Sequence, residues 1–208
     1  MNAAPKPTDI RINAGRLWGA LMEMAKIGAT PKGGVKRLTL TDLDRQGRDL
    51  FVAWCKEAGL SVTVDGVGSI LARRRGRRNS APPVVSGSHL DTQPSGGRFD
   101  GCYGVMAALE VARTLNDHGI ETDVPFEVAM WTNEEGSRFL PVMGASGAFA
   151  GVHTVEEILA GRDPEGVSFG DALMILTLDD PVPDEVRARI GAFADVDRVR
   201  TARLGVSG

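Results

Sequence analysis

Three short polar motifs in the middle of the chain carry residues that could do chemistry, and each directly follows an apolar run. The first is Ser88-His89-Leu90-Asp91-Thr92, after the run 83–87. An imidazole leaving a strand end, with a carboxylate two residues on, suits a metal ligand whose ring is oriented by a neighbouring acid. Taken alone, His89 reads as well as a hydrogen-bonded loop residue. The second is Gly96-Gly97-Arg98-Phe99-Asp100-Gly101, a glycine-rich turn opening onto a helix. Its glycines let the backbone pass close to a ligand and would place Asp100 near an ion beside His89; alone, Asp100 reads equally well as a helix N-cap. The third is Trp131-Thr132-Asn133-Glu134-Glu135-Gly136, after the run 125–130. Two adjacent carboxylates at a strand end repel each other unless something positive stands beside them. A metal ion resolves this if one Glu ligates it and the other takes a proton from the attacking water; without the other two motifs, a solvated Glu-Glu pair would be the default. Together the motifs offer one imidazole and three carboxylates. That mixed N/O set suits Zn²⁺ or another divalent transition ion, and Asp100 could bridge two ions in a hydrolytic site.

The elements that must position these groups alternate. A strand over 83–87 is followed by a helix at about 104–116, a strand over 125–131, small-residue turns and another short helix. Continuous apolar strands separated by helices predict an α/β fold with a mostly parallel sheet covered by helices on both faces. Ligands of such sheets collect at the carboxyl ends of strands. Upstream, Ile12, Leu17, Leu21, Met24 and Ile27 suggest a first helix before the breaker GATPKGG. A second is capped by Thr41, has Asp42 and Asp44 at its positive end, presents Leu43, Leu50, Phe51, Trp54 and Ala58 on one face, and stops at Gly59. LSVTVDGVGSILARR reads as two strands around the hairpin signal Asp65-Gly66, and the basic cluster Arg73 to Arg78 as a solvated loop.

Composition narrows the field. Twenty-four Lys+Arg against 27 Asp+Glu give a net charge of −3, with no basic stripe of the kind nucleic acid requires. No window approaches the ~18 consecutive apolar residues of a membrane span, and the N-terminus lacks the apolar core of a signal peptide. The expectation is a cytoplasmic protein that binds neither nucleic acid nor membrane. Cys55 and Cys102 fit no disulfide framework or cysteine zinc spacing and read as small buried hydrophobes.

With these residues in view, the chain from about Arg11 to Leu173 resembles the hydantoinase/carbamoylase branch of the metal-dependent amidohydrolases related to the M20 peptidases. That branch includes N-carbamoyl-L-amino-acid hydrolases, β-ureidopropionases and allantoate amidohydrolases. The resemblance rests on IGATPKGGVKRLTLTDLDRQGRDLF, GSHLDTQPSGGRFDGCYGV and WTNEEGSRFLPVMGASGAFAG. It implies a di-zinc aminopeptidase-like catalytic domain in which His89 ligates one metal, Asp100 bridges both, Glu135 ligates the second, Glu134 is the general base and Asp91 orients His89. The implied cofactors are two divalent ions, zinc first, with manganese, cobalt or nickel as alternatives. The implied substrate is a small molecule with a linear ureido, amide or amidine group.

The chain also departs from that branch. Its members are much longer, with a dimerisation domain that makes them homodimers and a C-terminal return to the catalytic domain. One metal-binding His comes from a His-x-Glu-Gln-Gly motif beyond the region where this chain ends, and another from near the family's C-terminus. Of the remaining histidines, His118 reads as a helix C-cap and His153 as a loop residue, so neither takes a metal role. The expected organisation is a truncated catalytic domain over 1–173 and a divergent tail over 174–208, in which Pro183, Asp184 and Glu185 could open a helix. Three readings follow: hydrolysis of a C–N bond other than a peptide bond, by a chain inactive when alone; a folded non-catalytic or partner-completed subunit; or an M20-type aminopeptidase. The residues that bind substrate are not legible.

Overall fold

The computed structural model describes residues 10–177. Helix α1 (Ala14–Met24) starts at Asn13, whose Oδ1 accepts from the Arg16 N–H at 3.0 Å, and buries Ala20, Leu21 and Met24. Helix α2 (Asp42–Glu57) starts at the expected cap: Thr41 Oγ1 accepts from the Asp44 N–H at 3.4 Å. Its buried residues are Asp44, Gly47, Arg48, Phe51 and Cys55; of the expected face, Phe51 lies in the main core and Leu50, Trp54 and Ala58 pack against it, while Leu43 is 36% exposed. The departure of Leu43 has a polar cause. Asp44 Oδ2 accepts from both the Leu40 N–H and Arg48 Nε at 2.8 Å, and Arg48 reaches on to Gly68 O at 2.7 Å, so this charged pair, not Leu43, faces inward.

Strands β1 (Ser61–Val64) and β2 (Ile70–Arg74) pair antiparallel, Val64 opposite Ile70. The Asp65-Gly66 signal marks their connection, in which Asp65 Oδ1 accepts from the N–H groups of Val67 and Ser69 at 3.0 and 2.8 Å. Strand β3 (Val84–His89), helix α3 (Cys102–Asp117) and strand β4 (Phe126–Trp131) form a βαβ unit. The sheet order is β1-β2-β4-β3, with β3 and β4 parallel and the other two pairings antiparallel. The fold is α/β as expected, but the sheet is mixed where a mostly parallel one was expected. Parallel pairing requires a crossover of a dozen or more residues, and only β3 and β4 are joined through a helix.

Ile70, Ala72, Phe126, Val128 and Met130 pack with α1, α2 and α3 in the main core. At alternate positions of the sheet, Arg73 and Glu127 are register partners joined at 2.6 Å, and Val85 is 40% exposed. Among the described residues this second face is only partly covered, where helices on both faces were expected. The basic cluster divides correspondingly. Arg73 and Arg74 belong to β2 and are partly buried, whereas Arg77 and Arg78 lie on the surface and pair with Asp123. Three helices follow β4: α4 (Gly144–Phe149), α5 (Val155–Ala160), held by a Thr154–Glu157 capping box, and α6 (Phe169–Thr177). They build a second core with Leu40, Val67 and Phe139. Helix α6 runs across the expected domain boundary at 173/174; the helix expected near Pro183 lies outside the described residues. No helix among the described residues is long and apolar enough to cross a membrane.

Candidate metal centre

The parallel register sets His89 opposite Trp131, so β3 and β4 end side by side and release Leu90–Thr92 and Thr132–Glu135 into one space. His89 is buried, and its Nδ1 lies 2.8 Å from the backbone oxygen of Asp91. A carbonyl only accepts, so Nδ1 carries the proton, and Nε2 of the neutral ring presents a lone pair. That nitrogen stands 3.3 Å from Glu134 Oε2. The ring is therefore oriented by the Asp91 carbonyl; the Asp91 carboxylate, expected in that role, is 3.7 Å from Nδ1. The carboxylate instead accepts from the Glu134 and Glu135 N–H groups at 3.3 and 3.2 Å, fixing the turn that bears both glutamates. Burial, with the nearby charge of Asp44, pushes the Asp91 carboxyl up to about 6, against the pull of His89 and the two amides.

Glu134 and Glu135 diverge. Glu134 is one-third exposed and faces His89. Glu135 Oε2 accepts from Gln93 Nε2 at 2.6 Å, while its Oε1 is buried and accepts no hydrogen bond. Glu134 thus faces the imidazole, Glu135 on the same turn keeps a buried oxygen without a hydrogen-bond partner, and imidazole and carboxylate are donor types that fit a divalent cation. Asp100 is exposed, but its neighbour Gly101 touches the imidazole: a Cβ at Gly101 would lie 2.4 Å from His89 Cε1. Among the described residues, no group of three or more His, Cys, Asp or Glu side chains is gathered closely enough to hold an ion. The structure thus brings His89, Asp91 and Glu134 together, puts Glu135 on the same turn, and leaves the Asp100 carboxylate outside their contacts.

A second set of residues holds this frame, and sequence reasoning missed it. Arg37 is fully buried; it donates from Nε to Leu90 O at 2.9 Å, and its backbone exchanges hydrogen bonds with Thr92. Arg48 Nη2 donates to Thr132 Oγ1 at 3.0 Å, tying α2 to the segment after β4. Asn133, in left-handed backbone at φ 55°, donates to Phe139 O and Pro141 O at 2.8 and 3.2 Å. Only the Asp44–Arg48 pair carried a local signal, opposite charges four residues apart on a helix; Arg37 and Gln93 are defined by tertiary contacts alone. The other histidines behave as expected: His118 is the C-cap of α3, and His153 is 4.0 Å from Glu157. Both cysteines are buried, and burial pushes the Cys55 thiol up to about 12.

Comparison with known proteins shows what the chain is similar to. The chain is 60% identical over 163 residues to an N-carbamoyl-L-amino-acid amidohydrolase of Rhizobium meliloti, covering 78% of this chain and 39% of that protein. It is 43% identical over 177 residues to an N-carbamoyl-L-amino acid amidohydrolase of Geobacillus stearothermophilus, covering 85% and 43%. The solved structure of a hydantoinase/carbamoylase family amidase from Burkholderia multivorans superposes with a TM-score of 0.80 at 62% identity, over 80% of this chain and 41% of that one. The chain thus spans about two fifths of the length of these relatives. Residues 85–201 match the sequence profile of peptidase family M20/M25/M40, whose members are metal-dependent in general. That match takes in His89, Asp91, Asp100, Glu134 and Glu135 and more than half of the chain, which belongs to peptidase family M20/M25/M40.

Proposed function

We propose that this chain contributes the metal-bearing half-site of a hydrolase that cleaves a linear C–N bond other than a peptide bond, in a small ureido or amide substrate such as an N-carbamoyl-L-amino acid. The observation that carries the reading is the divergence of the two consecutive glutamates: one faces the His89 lone pair from a partly exposed position, and the other keeps a buried oxygen without a hydrogen-bond partner. The names and similarity of the relatives supply the substrate class.

In this reading His89 would hold one divalent cation, zinc first, Glu135 would hold a second through its buried Oε1, and Asp100 would serve both. Bound there, the cations polarise the scissile carbonyl and acidify water. The protein's own groups do the rest. Asp91 keeps the imidazole proton on Nδ1 through its carbonyl and holds both glutamate amides with its carboxylate. Glu134 Oε2 takes a proton from the attacking water and returns it to the departing nitrogen as the carbon–nitrogen bond breaks. The carbon gains the water oxygen, and the nitrogen leaves as a neutral amine or ammonia.

The test is ammonia release from N-carbamoyl-L-amino acids by the zinc-loaded chain, alone and mixed with a longer relative whose own glutamate base has been changed. Turnover in the mixture that Glu134→Gln abolishes supports the reading; no zinc uptake under any condition sinks it. A partner-completed subunit is the second reading, favoured by one observation: no group of three donors is gathered among the described residues. Turnover only in the mixture selects it.

A further inference from the structure

The Gln93 side chain is held from both ends. Its Oε1 accepts from Ser137 Oγ at 2.7 Å and its Nε2 donates to Glu135 Oε2 at 2.6 Å. The carboxylate can only accept, which fixes the orientation of the amide without ambiguity. Gln93 belongs to the segment after β3, whereas Ser137 and Glu135 belong to the segment after β4, so the amide spans the two strand ends that make the site. Glu135 Oε2 is thereby committed to the protein, and Oε1 is left buried and without a partner. We infer that Gln93 is a positioning residue that restricts Glu135 to ligation through one oxygen, with Ser137 acting only through Gln93. The inference rests on the proposed metal site and adds to it a residue that touches neither substrate nor reacting atoms.

Two substitutions and their combination test it in the full 208-residue chain. Gln93→Met keeps the length and removes both polar ends; Ser137→Ala removes only the hydroxyl that fixes the amide. Zinc affinity measured by calorimetric titration should fall about tenfold or more in Gln93→Met, the usual scale for a lost partner of a metal ligand. It should fall less in Ser137→Ala, and the double variant should be no weaker than Gln93→Met, because the two residues form one chain of contacts. Cobalt(II) supplies a readout that loss of stability does not mimic. With Gln93 removed, both Glu135 oxygens are free to ligate, so the visible d–d bands should weaken as coordination number rises. Unchanged affinity and an unchanged cobalt spectrum in Gln93→Met overturn the inference, as do additive effects of the two substitutions. Should Gln93→Met fail to fold, a wild-type affinity and spectrum in Ser137→Ala overturn it as well. Failure of the unmodified chain to bind either metal overturns the metal site, and this inference with it.

Discussion

His89 Nε2 and Glu134 Oε2 stand 3.3 Å apart, and with the imidazole proton held on Nδ1 by the Asp91 carbonyl both atoms present lone pairs. Two acceptors at that distance are stable only with a positive charge shared between or beside them, either a proton or a cation.

The two glutamates should separate on substitution. Glu134→Gln should retain metal and, in a turnover-competent assembly, lose about 10²–10⁴-fold in rate, the usual share of a positioned base. Glu135→Gln should lose metal occupancy first. Metal content by atomic absorption beside initial rate decides between them, and a metal-free Glu134→Gln beside a loaded Glu135→Gln would reverse the assignment.

The buried pair behind the site should matter to stability more than surface pairs do. Asp44 is fully buried, and Arg48 is bound to it while also donating to Gly68 O and Thr132 Oγ1. Arg48→Met should cost about 3–5 kcal/mol by urea denaturation, because it strands a buried carboxylate. Arg78→Met, which breaks an exposed pair with Asp123, should leave the urea midpoint close to that of the wild type.

Glu110 links stability to acid. Burial alone would raise its carboxyl, but hydrogen bonds from Arg16, the Asn13 N–H and Thr114 together hold it below the usual range. A carboxyl depressed in the folded state contributes stability that is complete above its unfolded value and is lost as pH falls through the folded one. Thermal denaturation at a series of pH values from neutral into the acid range should show this loss in the wild type and a flatter profile in Glu110→Gln. At neutral pH, Glu110→Gln should also be less stable by about 1–3 kcal/mol. Parallel profiles for the two proteins would remove Glu110 from the account.

What the sequence disclosed follows from how local each signal is. The Thr41 cap, the Asp65-Gly66 connection, and the strands expected over 83–87 and 125–131 are written in contiguous residues, and each appears in the structure, the first of the two strands running on to His89. The antiparallel union of β2 with β4 is not, because residues 70–74 meet residues 126–130 only after α3 has crossed over. The same holds at the site. His89 and Glu134 announced themselves by type and position, whereas Gln93 and Arg37 acquire meaning only from atoms far away in the chain. On α2, Leu50, Phe51, Trp54 and Ala58 pack as their spacing implies, and only Leu43 was misplaced, because apolar spacing gives no sign of the charged pair that the fold buries.

Gly101 offers the sharpest separation of geometry from composition. Its backbone, at φ 64° and ψ −51°, closes a γ-turn in which Asp100 O accepts from the Cys102 N–H at 2.6 Å, a conformation rare and strained for residues with a Cβ. A methyl there would also lie 2.4 Å from His89 Cε1 and 2.5 Å from both ring nitrogens, so Gly101→Ala must either open the turn or push the imidazole off the Asp91 carbonyl. Strain of this kind costs about 1–3 kcal/mol, and displacing His89 should also weaken zinc binding. Gly97→Ala is the matched control in the same loop, since a Cβ at Gly97 meets nothing within 4 Å. Calorimetric melting and zinc titration of both variants should show a lower Tm and weaker binding in Gly101→Ala, and near wild-type values for both in Gly97→Ala. Equal behaviour of the two would mean that the close approach of Gly101 to His89 does not set the position of the ring.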